Sequence, residues 1–244
     1  MQRLSSISKI FIAAVVMTGS AALGNALLHW QSSRPAELLA LLVITLIASR
    51  LKVKLPGISG TMSVNVPFLL IMAVRLSAGE ALLIAALASL VQSIPAVKSR
   101  ITLVQALFNS ATITNAVAVA SLAFDFASHR GLGAPLSVAG AGAAFFLANT
   151  VQIALVLCLA EGKDLFKAWR DMARLSTPYY VLSTGVAAVI CIAIQFALWA
   201  EVLALLPLTY SIYTSYRLYF ATPAAAALPL TPAAHGNSAS AAQS

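Results

Sequence analysis

The sequence predicts an all-α protein: a polytopic integral membrane bundle of about eight transmembrane helices, with seven as the alternative count. Hydrophobic residues make up 60% of the 244 residues and charged residues 9%, whereas soluble domains carry about 25% charged residues. The apolar runs are continuous rather than alternating. Because lipid cannot pair with backbone polar groups, such runs favour helices over a closed barrel.

Eight apolar segments succeed one another along the chain. They are residues 10–28, 35–49, 62–76, 78–94, 103–126, 135–160, 179–198 and 202–219. The second and third are shorter than the ~20 residues that a perpendicular helix needs, so we expect them to be tilted, partly re-entrant or extended by flanking residues. Residues 1–220 form the predicted membrane domain. The Ala-, Pro- and Ser-rich residues 221–244 are predicted to be a disordered cytoplasmic tail.

The loop charges predict the orientation. With a cytoplasmic N-terminus, the outside loops hold three basic residues, Arg34, Arg75 and Arg130, which leaves 12 of the 15 inside. This asymmetry is the one that the positive-inside rule describes. The sequence therefore predicts a multi-pass membrane protein with both termini in the cytoplasm. A cleaved signal peptide remains open for the first segment, which has a basic start and a small-residue-rich end.

Composition and motifs exclude several functional classes. The net charge is +8, but the basic residues stand in short clusters between apolar runs, as in cytoplasmic loops rather than nucleic-acid-binding surfaces. Cys158 and Cys191 lack metal-ligand or redox spacing, so we expect two buried apolar side chains. The sequence contains no phosphate loop, dinucleotide fingerprint, HExxH motif or nucleophile elbow. It therefore predicts no enzyme, no metal site and no cofactor.

Uncharged amide side chains lie inside the apolar segments. They are Asn65 in the third segment, Gln92 in the fourth, Gln105, Asn109 and Asn115 in the fifth, and Asn149 and Gln152 in the sixth. Those spaced three or four residues apart share a helix face. A polar group facing lipid costs several kcal/mol, so these faces should point into the bundle. Two interpretations stay open: a ligand pocket or solute path between the fourth, fifth and sixth helices, or hydrogen bonds that hold the helices together.

Two features lie at the predicted membrane surfaces. Arg75 and Glu80 flank the break between the third and fourth segments, and are predicted either to pair at the outer mouth of the bundle or to be separate interfacial charges. The loop of residues 161–174, from Glu161 to Arg174, mixes seven charged residues with apolar ones. It predicts a short amphipathic helix that lies in lipid headgroups or contacts a cytoplasmic signalling or energising protein. Beyond the lipid bilayer and that protein the sequence indicates no partner, and it predicts no oligomeric state.

Residues 51–109 carry a resemblance to a known family. They combine a basic LPG turn, a serine-bearing, strand-like piece before Pro67, a helix of the form ExLLIAALxxLVQ and a VQALFN start of the next helix. This stretch resembles the MASE-like membrane sensor module that precedes GGDEF cyclase or HD-type phosphohydrolase domains in bacterial signalling proteins. That resemblance implies a sensor-like module in a bacterial inner membrane, and we expect a stand-alone one, because the predicted tail stands where those relatives continue into an output domain. The same layout resembles the substrate-binding membrane subunits of vitamin uptake transporters, which implies small-molecule transport as the alternative.

Overall fold

The computed structural model describes residues 5–32, 34–54, 61–94 and 103–196, together with five isolated positions between 207 and 215. Over these residues the chain forms a helical bundle with one small hairpin. The elements are α1 (Ser6–Leu28), α2 (Pro35–Arg50), β1 (Lys52–Lys54), β2 (Thr61–Ser63), α3 (Val66–Arg75), α4 (Ala78–Ser93), α5 (Leu103–His129), α6 (Ala134–Glu161) and α7 (Leu165–Phe196). The predicted all-α membrane bundle is confirmed.

Four of the described helices are long and apolar enough to cross a membrane. They are α1, α5, α6 and residues Leu165–Ala193 of α7. The apolar helices α3 and α4 are shorter, so eight is an approximate count of spans. The predicted eighth segment, apart from the five isolated positions, and the predicted tail at residues 221–244 lie outside the described residues.

The third predicted segment is divided between a strand and a short helix. Strands β1 and β2 pair antiparallel, with Lys52 opposite Ser63, and α3 begins only at Val66. Its ten residues rise about 15 Å, half the thickness of a bilayer core. Pro67 stands in the first turn of α3, where its missing N–H removes no helical hydrogen bond. Residues 62–76 therefore do not form one helix: β2 corresponds to the strand-like piece expected before Pro67, and the helix that follows is short.

Helix α7 corrects the prediction for residues 161–174. Gly162, with φ +65°, ends α6, and the carboxylate of Asp164 accepts a hydrogen bond from the amide of Lys167 at 2.7 Å. From Leu165 the helix then continues without a break past Pro178. The predicted amphipathic helix is thus the first part of α7 rather than a separate element, because the surface segment and the seventh apolar segment share one backbone helix.

Helix α3 forms the centre of the bundle. Its side chains from Phe68 to Met72 are at most 1% exposed, so neighbouring helices cover it on every side. Close packing around it depends on small residues: a Cβ on Gly142 of α6 would collide with Thr184 of α7. By contrast, α1 exposes most of its apolar surface, as expected of a helix that faces lipid. The short α3 is therefore held by protein and not by the bilayer.

Candidate functional site

A cavity of about 150 Å³ lies where β2, α3, α4, α5, α6 and α7 meet. Its amide and hydroxyl lining consists of Ser63, Asn65, Ser89, Gln92, Asn109, Thr112 and Asn149. The remaining lining comes from Val66, Ile113, Ile153, Tyr179 and Tyr180. None of these side chains is charged. Over the described ranges, no group of three or more His, Cys, Asp and Glu side chains is arranged to hold a metal ion.

The structure brings together four of the seven amides that the sequence singled out. Asn65, Gln92, Asn109 and Asn149 all line the cavity, although Asn109 keeps much of its surface exposed. The predicted interior lay between the fourth, fifth and sixth helices. The structure adds the hairpin, α3 and α7 to its walls. This arrangement supplies the geometry that the pocket interpretation requires.

The other three amides lie elsewhere. Asn115 on α5 donates hydrogen bonds from Nδ2 to the carbonyl of Val15 at 3.2 Å, to Oγ1 of Thr18 at 3.1 Å and to Oε1 of Gln152 at 3.2 Å. These bonds join α1, α5 and α6, so this cluster follows the second interpretation, hydrogen bonding between helices. Gln105 is exposed near the start of α5 and does not line the cavity.

The floor of the cavity is the junction between β2 and α3. The Tyr179 hydroxyl donates to the carbonyl of Ser63 at 2.8 Å and accepts from the amide of Val66 at 3.3 Å. The side chain of Asn65 accepts from the Ser63 hydroxyl at 2.6 Å and donates to the Ser49 hydroxyl at 3.1 Å. All of these residues are buried. One phenol and one amide therefore fix the place where the chain changes from strand to helix inside the bundle.

Three buried polar atoms that line the cavity have no hydrogen-bond partner among the described residues. They are Oε1 of Gln92, Oγ1 of Thr112 and Oδ1 of Asn149. The Nδ2 of Asn149 donates to the Tyr180 hydroxyl at 2.6 Å, so only one end of this amide is paired. An unpaired buried polar atom costs about 1–3 kcal/mol. Two further atoms of this kind, on Glu80 and Ser183, do not line the cavity.

The aromatic wall is held from behind. The ring of Tyr180 packs edge-on against Phe146 with centroids 5.0 Å apart and against Tyr179 at 5.6 Å. Phe145 adds a tilted contact at 6.0 Å. Such offset aromatic contacts fix ring orientation. Tyr180 therefore presents a defined face to the cavity, with its hydroxyl committed to Asn149.

Sequence reasoning did not single out Thr112, Tyr179 or Tyr180. A threonine in an apolar helix usually bonds a carbonyl of its own helix, so its presence gave no signal. The two tyrosines begin the predicted seventh segment, where aromatic residues ordinarily mark the membrane interface. Only the packing of α7 against α3 shows that they lie at the cavity.

Basic side chains lie at the end of α4 that carries Gln92. Nη1 of Arg50 donates to the carbonyls of Val91 and Ile94 at 3.4 Å, and Nζ of Lys52 donates to the Ile94 carbonyl at 3.4 Å. Cations at a helix C-terminus are stabilised by the helix dipole. Partial burial, followed by the charge of Arg50, lowers the pKa of Lys52 below its ordinary value. This end of the bundle is therefore strongly basic next to the cavity.

The predicted Arg75–Glu80 pair needs correction. Arg75 forms its ion pair with Glu37 of α2, which also bonds Arg34 at 3.3 Å. Glu80 instead closes a capping box at the start of α4: its Oε2 accepts from the amide of Ser77 at 3.0 Å. The physical reason is that a glutamate at the third position of a helix is drawn to the free amide of its N-cap.

The start of α7 contacts the helix that carries Asn149. Nε1 of Trp169 donates to Oγ1 of Thr150 at 3.1 Å, and Thr150 directly follows Asn149 on α6. Phe166 is 64% exposed, and the guanidinium of Arg170 lies 5.6 Å from the centre of its ring. The first turns of α7 thus combine an exposed apolar and cationic face with a direct contact to α6 at the residue next to Asn149.

Comparison with protein families extends the resemblance seen in residues 51–109. The family model MASE9 matches residues 4–220, nearly the whole chain. The MASE families are membrane-associated sensor modules. No curated protein sequence and no solved structure matches the chain.

Proposed function

This chain belongs to the MASE9 family of membrane-associated sensor modules, and from that premise we propose that it senses a small polar ligand bound in the cavity. The main support for this proposal is that buried oxygen atoms on Gln92, Thr112 and Asn149 have no hydrogen-bond partner among the described residues. Structural hydrogen bonding would leave such atoms paired, since the membrane interior makes an orphaned polar group costly. A ligand that pairs with them supplies the missing interactions.

The orientation that the loop charges predict fits this proposal. We propose a bacterial inner-membrane protein with cytoplasmic termini, which places Arg50 and Lys52 on the cytoplasmic side. Both side chains bond the last turn of α4, the turn that carries Gln92. The cavity then lies towards the cytoplasm. The proposed ligand would accordingly be an intracellular one.

We further propose that the start of α7 reports the bound state to a cytoplasmic partner protein. A ligand that bonds Asn149 acts on the residue next to Thr150, which accepts the Trp169 indole N–H. Trp169 lies in the segment that exposes Phe166 and Arg170. A small shift of α6 therefore changes a surface that a partner can read. The proposal needs no catalytic step.

The test measures thiol labelling at the surface segment of the full chain in lipid nanodiscs. A Leu165→Cys variant, made with Cys158 and Cys191 replaced by Ala, is exposed to the low-molecular-mass fraction of a bacterial cytosolic extract. The labelling rate should change with the fraction, and this change should be lost with Asn149→Leu and kept with Asn115→Leu. If the fraction leaves the labelling rate of Leu165→Cys unchanged, the sensor proposal is overturned.

The transport alternative gives a different result in sealed proteoliposomes. If the same fraction contains a solute that accumulates inside vesicles in a manner that depends on Asn149, the chain carries solute rather than reporting its presence. The sensor proposal expects labelling changes without accumulation. The same extract fraction, applied to nanodiscs and to proteoliposomes, thereby separates the two functions.

A further inference from the structure

We infer that the cavity selects a small neutral molecule that carries at least two hydrogen-bond donors and one flat apolar or aromatic face. This inference rests on the proposed function and specifies the chemistry of the same site. Charge, donor pattern and shape each support it independently. Together they exclude ions and apolar molecules as the preferred ligands.

The absence of charge in the lining argues against an ionic ligand. No described side chain that lines the cavity is charged, and the basic groups described at that end, Arg50 and Lys52, already bond carbonyls at the C-terminal end of α4. Moving an ion from water into such a site without a counter-charge is unfavourable. Cations and anions of the same shape should both bind more weakly than the neutral molecule.

The N-terminus of α3 does not compensate as an anion site. Helix N-termini bind anions through free backbone amides. Here the first amide, that of Val66, donates to the Tyr179 hydroxyl, and the second residue is Pro67, which has no N–H. The Tyr179 hydroxyl donates in turn to Ser63. Two of the first three positions of this helix, Val66 and Pro67, therefore offer no free amide to an anion.

The unpaired atoms specify a donor. Oε1 of Gln92 and Oδ1 of Asn149 are amide oxygens, which only accept hydrogen bonds. The hydroxyl of Thr112 both accepts and donates. A ligand that satisfies all three atoms offers one donor to each amide oxygen and either function to Thr112. Purely accepting molecules leave both amide oxygens orphaned.

The cavity walls indicate the size of the ligand and its flat apolar face. The cavity volume of about 150 Å³ is roughly ten times what one water molecule needs. Tyr179, Tyr180, Ile113 and Ile153 form apolar walls, and the Tyr180 ring is fixed by its neighbours. A flat molecule therefore fits beside the tyrosines with its donors turned to α4, α5 and α6. Primary carboxamides and ureas on a small ring have this chemistry.

The test uses four probes that share one ring: benzamide, benzoate, benzamidinium and N,N-dimethylbenzamide. Saturation-transfer NMR on the full chain in nanodiscs measures binding of each probe. Benzamide should bind. Benzoate and benzamidinium, which are charged, and N,N-dimethylbenzamide, which has no N–H donor, should each bind about tenfold more weakly. A tenfold loss corresponds to about one buried hydrogen bond. Thr112→Val should weaken benzamide binding by a similar factor.

The matched control is Thr114→Val on the same helix, which should leave benzamide binding unchanged because Thr114 does not line the cavity. Equal binding of benzamide and a charged probe, both sensitive to Thr112→Val, overturns the neutral class but leaves the cavity a ligand site. The inference is also overturned if Thr112→Val changes the binding of none of the four probes. In that case the labelling experiment at Leu165 decides the proposed function separately.

Discussion

Thr112 on α5 and Asn149 on α6 face the same cavity, and each carries a buried oxygen atom for which the described residues provide no hydrogen-bond partner. Each such atom costs about 1–3 kcal/mol in the folded state. Evolution towards stability alone would replace these residues by apolar ones of the same shape. Their presence is explained if a ligand completes their hydrogen bonding.

Thr112→Val should raise the stability of the empty protein. Valine keeps the shape of threonine and removes a hydroxyl that has no partner, so the free energy of unfolding should increase by about 1–3 kcal/mol. Thermal unfolding in nanodiscs measures the change. Thr114→Val is the control: Thr114 is equally buried at 2% exposed, but its hydroxyl donates to the carbonyl of Ser110 at 2.8 Å. A stability gain of the same size in both variants would contradict the assignment.

Tyr179→Phe should lower stability strongly. Removal of its hydroxyl leaves the carbonyl of Ser63 and the amide of Val66 without this partner, each at about 1–3 kcal/mol. Tyr180→Phe keeps the ring and loses only the bond to Asn149, so the loss should be about half as large. Thermal unfolding compares the two variants. Equal losses would show that the strand-to-helix junction does not depend on Tyr179.

Asn115→Leu should weaken helix packing without affecting the cavity. The variant loses the bonds that join α5 to Thr18 on α1 and Gln152 on α6, and bonds between membrane helices are worth about 0.6 kcal/mol each. Unfolding should therefore occur at a lower temperature. The extract fraction should still change the labelling rate at Leu165→Cys. A lost response would place Asn115 in the signalling route.

Arg75→Gln should destabilise the protein more than Glu80→Gln. The first change leaves Glu37, 7% exposed, with the more exposed Arg34 as its remaining ion-pair partner among the described residues, which should cost about 1–3 kcal/mol. The second retains an oxygen that can bond the amide of Ser77, so the capping box survives. A Glu37→Gln, Arg75→Gln double variant should recover part of the loss. Thermal unfolding that ranks Glu80→Gln as the more damaging change would refute the pairing.

The sequence predicted helices well where length and apolarity decide the outcome. The predicted fourth segment, residues 78–94, and the helix Ala78–Ser93 nearly coincide, because Ser77 and Glu80 cap its start. The strand-like piece before Pro67 was recognised, but an apolar run of this length does not show where a strand ends and a short buried helix begins. The charged residues before Arg174 predicted a separate short surface helix, yet α7 runs from Leu165 to Phe196 without a break.

The candidate site was predictable only in part. A polar side chain in an apolar helix must point into the bundle, which identified Gln92 and Asn149. Whether two such side chains share a cavity depends on helix rotation and crossing, so Asn115 was grouped with them although it bonds α1. Thr112 and Tyr179 belong to the site through packing alone. No local pattern in the sequence carries that information.

The most direct test of the ligand site combines stability and response in one measurement. Thermal unfolding of the wild-type chain and of Thr112→Val is recorded in nanodiscs with and without the extract fraction that changes labelling at Leu165→Cys. We expect the fraction to raise the unfolding temperature of the wild-type chain. Without the fraction, Thr112→Val should unfold at a higher temperature than the wild-type chain, and the fraction should raise that temperature by less. The ligand site would be contradicted if Thr112→Val unfolded at the same temperature as the wild-type chain without the fraction and the fraction raised both unfolding temperatures equally.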